Sequence, residues 1–107
     1  FHKSPWSSDS AHTPGEVGMR WPSLDGVDLI LSGHGHNYER LLIGTQPQIV
    51  CGLGGATKRG FGAVVAGSQY RYNDFYGCLR VWVSADKLQV TFYNTKGQAV
   101  DELTLKK

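Results

Sequence analysis

The chain has 107 residues, 40% of them hydrophobic, and 11 Lys and Arg against 9 Asp and Glu give a net charge of +2. That length suits one globular domain spanning residues 1–107, and so small a charge does not demand a polyanionic partner. No apolar run approaches the roughly 18 residues of a membrane span, and the aromatic residues lack a basic groove beside them, so neither a membrane anchor nor nucleic-acid binding is expected.

Fourteen glycines among aromatic and β-branched residues favour a loop-rich, mostly β chain over a helical bundle. Residues 3–25 carry Ser, Asp, Thr, Gly and the prolines Pro5, Pro14 and Pro22, which read as a long loop with at most a helical turn near 16–21. Loops of that length in compact domains are usually functional. Residues 27–31 form a short apolar run that predicts a buried strand. The run Ser32-Gly33-His34-Gly35-His36-Asn37-Tyr38-Glu39-Arg40 follows at once. Residues 41–43 and 48–51 predict a strand pair around the turn Gly44-Thr45-Gln46-Pro47, and 52–67 predicts a glycine-rich loop. Residues 76–84, 87–94 and 98–105 alternate, with tight turns at Ala85-Asp86 and Thr95-Lys96-Gly97, and predict a three-stranded meander. Tyr70, Tyr72, Phe75 and Tyr76 read as cover for that sheet. Cys51 and Cys78 have neither metal-site nor redox-motif spacing, and the sequence favours buried free thiols over a disulfide.

Two imidazoles one residue apart at the end of a strand form a ready pair of metal ligands. In extended backbone, residues i and i+2 share a face about 6.5 Å apart, so His34 and His36 can each take one ion of a close pair, which is the equipment of metal-assisted hydrolysis. Gly33 and Gly35 give the backbone freedom to turn there. The run Gly52-Leu53-Gly54-Gly55-Ala56-Thr57-Lys58-Arg59-Gly60 is not a phosphate-binding P-loop: no Ser or Thr follows its Lys, and it leads into more loop rather than a helix.

The segment 26–40 resembles the last signature block of calcineurin-like metallophosphoesterases, especially their purple-acid-phosphatase-like branch. Phe1-His2-Lys3-Ser4-Pro5-Trp6-Ser7-Ser8 resembles the block that precedes it, in the same order. The acidic blocks that come earlier in that family (an Asp-x-His, a Gly-Asp with a nearby Tyr, a Gly-Asn-His) do not occur in this chain. The resemblance therefore implies the C-terminal, mostly β half of an α/β two-sheet sandwich with flanking helices, and an upstream part beyond Phe1.

It also implies roles. His2 and His34 would join one metal ion, His36 the other, and His12 would contact phosphate or protonate the leaving group. Asn37, Tyr38, Glu39 and Arg40 would orient the ligands. Lys3 reads as a solvated neighbour of the site, Asp28 as structural and Asp9 as a candidate carboxylate ligand. Two ions drawn from iron, zinc and manganese are implied for the complete enzyme. Three neutral imidazoles without a bridging carboxylate hold at most one. The expected function is metal-dependent phosphoester hydrolysis, completed by a missing N-terminal half and absent from the chain alone. The alternatives are a non-catalytic β domain that dimerises through open sheet edges, and a single-metal hydrolase built on His2, His34 and His36. The resemblance slightly favours an extracytoplasmic location.

Overall fold

A computed structural model describes residues 2–11 and 26–107. Among the described residues there are seven strands and no helix. The α/β expectation is thus met here only by its β part. The helical turn expected near 16–21 and His12 lie outside the described residues. The chain divides into two compact units, Phe1–Asn73 and Asp74–Lys107.

The first unit holds a four-stranded sheet in the order β1-β3-β2-β4, with β1 at Ile30–Ser32, β2 at Tyr38–Ile43, β3 at Gln46–Cys51 and β4 at Ser68–Tyr72. β2 and β3 make a hairpin whose two-residue turn has Gly44 at φ +60°, the backbone that a type II′ turn requires at its first position. β1 runs parallel to β3, with Ile30 opposite Gln48 and Ser32 opposite Val50. It is shorter than the apolar run that predicts it. The register places Pro47 opposite Leu29, and a proline has no N–H to extend the ladder. Val27 is accordingly 42% exposed. Ile30, Tyr38, Leu41, Ile49, Val50 and Leu53 form the apolar core. β4 falls in a stretch whose sequence, Ser-Gln-Tyr-Arg-Tyr, gives little apolar alternation, and it pairs antiparallel with β2.

Residues 2–11 run irregularly, with two single-residue β-bridges to the rest of the first unit, Lys3 with Gly33 and Asp9 with Phe61, beside the side-chain and loop hydrogen bonds described below. β1 and β3 end side by side at Ser32 and Cys51, and the Gly33–Asn37 turn begins there. The Lys3 bridge brings His2 to the same place.

The second unit is the expected meander, β5 (Gly77–Val83), β6 (Lys87–Asn94) and β7 (Ala99–Lys106), paired antiparallel in that order. Alternation gives it one apolar row per strand: Leu79, Val81 and Val83 on β5, and Leu88, Val90 and Phe92 on β6. Val90 and Phe92 are fully buried, whereas Val81 and Val83 at the far end of edge strand β5 are 44% and 59% exposed. Trp82, on the opposite face, is 52% exposed, with the Arg80 guanidinium 5.4 Å from its ring. Both cysteines are free; Cys51 is half-buried, and Cys78 is exposed, not buried as its sequence context suggested.

Candidate functional site

The histidine turn is built by its backbone. The Gly35 N–H donates to the Gly33 carbonyl at 2.8 Å, and the residue between them, His34, has φ +64°. A bond between residues two apart around a positive-φ centre is a γ-turn of the rare, strained hand. The left-handed residue is therefore the histidine, not either flanking glycine. A Cβ on Gly33 would meet nothing closer than 3.8 Å. The glycine the turn cannot do without is Gly52, where a Cβ would lie 1.8 Å from the Gly35 carbonyl oxygen. Its own N–H donates to the Asn37 carbonyl at 2.9 Å, so the end of β3 and the histidine turn are in backbone contact.

The Gly33 N–H donates to the His2 carbonyl at 2.9 Å. The two imidazoles then meet: His2 Nε2 and His34 Nδ1 are 3.0 Å apart, with the rings edge to face at 75°. Without a metal, one nitrogen donates and the other accepts. With a metal at about 2.0–2.1 Å from each, two nitrogens stand about 3.0–3.4 Å apart, so the pair fits two positions on one ion.

His36 is held differently. Its Nδ1 lies 2.9 Å from the Thr57 carbonyl, to which the ring N–H donates, leaving Nε2 as the lone-pair nitrogen. That arrangement fixes tautomer and ring orientation in the way characteristic of metal-binding histidines. The Arg59 N–H donates to the His36 carbonyl at 2.9 Å, so one loop grips both the ring and the backbone of this residue.

Asp9 is 3% exposed and fully engaged. Its Oδ1 accepts the Ala11 N–H at 2.8 Å, and its Oδ2 accepts the His36 N–H and the Asn37 Nδ2 amide, each at 3.1 Å. It fastens the turn and is not disposed as a ligand. Glu39 is wholly buried and accepts from the Ser8 N–H at 2.7 Å and from the Ser8 and Ser68 hydroxyls at 2.6 Å. Tyr38 is a core residue, edge to face with Tyr70 at 6.3 Å, and Arg40 donates to the Gln69 side chain at 2.6 Å. Asn37 and Glu39 thus act on the backbone of the site and its neighbouring loop rather than on an imidazole ring. Thr57 and Asp9 supply the support that sequence reasoning sought in residues 37–40; a backbone carbonyl leaves no trace in residue identity.

Among the described residues no group of three or more His, Cys, Asp or Glu is arranged to hold a metal ion. Of the three histidines of the expected alternative site, His2 and His34 converge, and His36 has its Nδ1 held by the Thr57 carbonyl. The donors fit part of a metal centre, on the nitrogen side, and the carboxylates that balance divalent charge are missing from the set.

No protein-family model matches this sequence, and no curated protein matches it. Among solved structures, the purple acid phosphatase PPD1 isolated from yellow lupin (Lupinus luteus) seeds is similar over 75% of this chain, at 23% identity and a TM-score of 0.67. GAP50, the anchor in the inner membrane complex of Plasmodium, is similar over 94% of it, at 23% identity and a TM-score of 0.77. The fold is that of the purple-acid-phosphatase-like metallophosphoesterases. The chain spans only 18% of the length of the lupin phosphatase and 33% of GAP50. In a purple-acid-phosphatase-like fold of this extent the two histidine segments stand on adjoining backbone, although 32 positions separate His2 from His34.

Proposed function

We propose that this chain is the C-terminal part of a metal-dependent phosphoesterase domain, contributing the imidazole half of a dinuclear centre. The observation that carries the reading is the convergence of His2 Nε2 and His34 Nδ1 to 3.0 Å on a strained turn. His2 and His34 would hold one ion and His36 Nε2 the other, with iron, zinc and manganese all suited to imidazole. When bound, such ions lower the pKa of water and neutralise charge on a phosphoryl group. The chain's own residues prepare for this. Thr57 fixes the His36 tautomer, Asp9 anchors the His36 and Asn37 positions, and Gly52 lets the end of β3 close against the turn. His12, outside the described residues, is assigned to the phosphate or leaving group by the resemblance alone. The carboxylate ligands come from outside this chain, in a missing N-terminal part.

Elemental analysis and a zinc titration of the purified chain, beside an aryl phosphate assay, test this. About one ion per chain, lost in His34→Ala/His36→Ala and without turnover, is the expected result. Turnover by the chain alone would overturn the half-site reading, and absence of bound metal would remove the metal-dependent one.

A second reading rests on a different observation. Val81, Trp82 and Val83 leave edge strand β5 apolar and 44–59% exposed, which suits a non-catalytic domain that associates with a second copy of itself. Metal-free, inactive, dimeric protein would favour it.

A further inference from the structure

We infer that the polar face of the meander carries a binding site for a single neutral sugar ring, built by Arg80, Trp82, Thr91 and Glu102 and closed by Gln89 and Tyr93. The inference concerns the second unit alone and does not depend on the phosphoester reading.

The register builds the site. Arg80 on β5 stands opposite Thr91 on β6, and Thr91 opposite Glu102 on β7, so one row of side chains crosses all three strands. Trp82 stands opposite Gln89 in the next row, and Tyr93 follows Thr91 on the same face two residues along β6. A short residue between two long ones makes a floor. Thr91 is 6% exposed, and the backbone positions of Arg80 and Glu102 on either side of it are two strand spacings, about 10 Å, apart. The six side chains line a cleft of about 110 Å³. That is room for several waters or one small ring, well below the roughly 300 Å³ at which pockets for larger ligands begin.

The polar groups of the cleft are left open to a ligand. The Arg80 guanidinium lies over Trp82, 5.4 Å from the ring centre, and does not pair with Glu102. Glu102 Oε2 accepts the Thr91 hydroxyl at a long 3.4 Å, and its Oε1 accepts nothing among the described residues. Nor do the Gln89 amide and the Tyr93 hydroxyl make a side-chain hydrogen bond among the described residues. The cleft therefore presents donors from Arg80, an acceptor from Glu102, and groups that do both from Gln89 and Tyr93. Its two charges are opposite, so an anion meets the carboxylate and a cation meets the guanidinium. Lys87 and Lys106 face each other at the end of the same sheet face, one row beyond Gln89, and neither lines the cleft. The ligand that answers such walls is neutral and carries several hydroxyls, each able to donate and accept. Trp82 adds the remaining requirement: it is 52% exposed, and the electron-rich face of an indole suits the C–H bonds of a pyranose ring.

The test titrates the full chain with the methyl glycosides of glucose, mannose, galactose and N-acetylglucosamine, followed by amide and indole N–H chemical shifts. Saturable shifts at Trp82, Thr91, Tyr93 and Glu102 with at least one of them, at millimolar affinity, are expected. Trp82→Ala removes the stacking surface and Glu102→Gln keeps the shape but removes the charged acceptor, and each should weaken binding roughly tenfold. Both residues are exposed, so neither change empties the core, and the β6 amide spectrum checks the fold. No saturable shift with any of the four glycosides, or wild-type affinity in either variant, would overturn the site. Inorganic phosphate held at these residues more tightly than every glycoside would make the cleft an anion site and overturn the sugar assignment.

Discussion

At His34 the backbone takes a conformation that costs an L-residue about 1–3 kcal/mol, and the residue there is a histidine although two glycines stand beside it. Strain of this kind persists where the side chain is needed at that spot, and here it turns Nδ1 toward His2. His34→Gly should therefore leave the stability of the metal-free chain unchanged or raise it by up to about 1 kcal/mol, while removing metal binding. Urea unfolding with and without zinc measures both halves, and a loss above about 1 kcal/mol in the metal-free form would show that the turn is not strained. Gly52 makes the opposite case. A methyl group there would overlap the Gly35 carbonyl, which is backbone and cannot rotate away. Gly52→Ala should cost about 2–4 kcal/mol or prevent folding, and a variant as stable as wild type in urea would refute the close approach.

The elements that meet at the site are joined by two buried carboxyl groups. Glu39 on β2 ties the Ser8 segment to β4 through Ser68, and Asp9 ties the same segment to the histidine turn. Asp9→Ala leaves the His36 and Ala11 N–H groups and the Asn37 amide without their acceptor, and should cost about 2–3 kcal/mol. It should also raise hydrogen exchange at the His36 amide above that of the β2 and β3 amides; uniform acceleration would instead mean a general loss of stability. This wiring was hidden in the sequence for a physical reason. The meander was legible, because its strands alternate and Gly97 and Asp86 mark its turns, and the histidine pair was legible because its residue types are themselves chemical. β4 was not, because Ser68–Tyr72 is only half-buried and owes its place to pairing with β2. Asp9 read as a candidate ligand because a carboxylate's residue type does not say whether backbone N–H groups have already claimed it.

For the whole molecule, the balance of exposed and buried surface differs between the two sheet edges of the second unit. Edge strand β7 carries Asp101, Glu102 and Lys106, and a register irregularity interrupts its pairing with β6 near Phe92. Charges and bulges of that kind discourage pairing with another chain. β5 has neither along Val81-Trp82-Val83, and its ladder with β6 is regular throughout. Antiparallel self-pairing centred on Val81 would set Arg80 of one copy opposite Trp82 of the other, with no like charges facing each other. If the chain self-associates, that edge carries the contact, and Val81→Lys should break it by placing two ammonium groups across the axis. Sedimentation over a wide concentration range should then show wild type shifting toward dimer and the variant remaining monomeric, with zinc binding equal in both. A monomeric wild type at every concentration would leave β5 without a self-partner and weigh against the associating-domain reading, while an unaltered dimer in Val81→Lys would place the contact elsewhere.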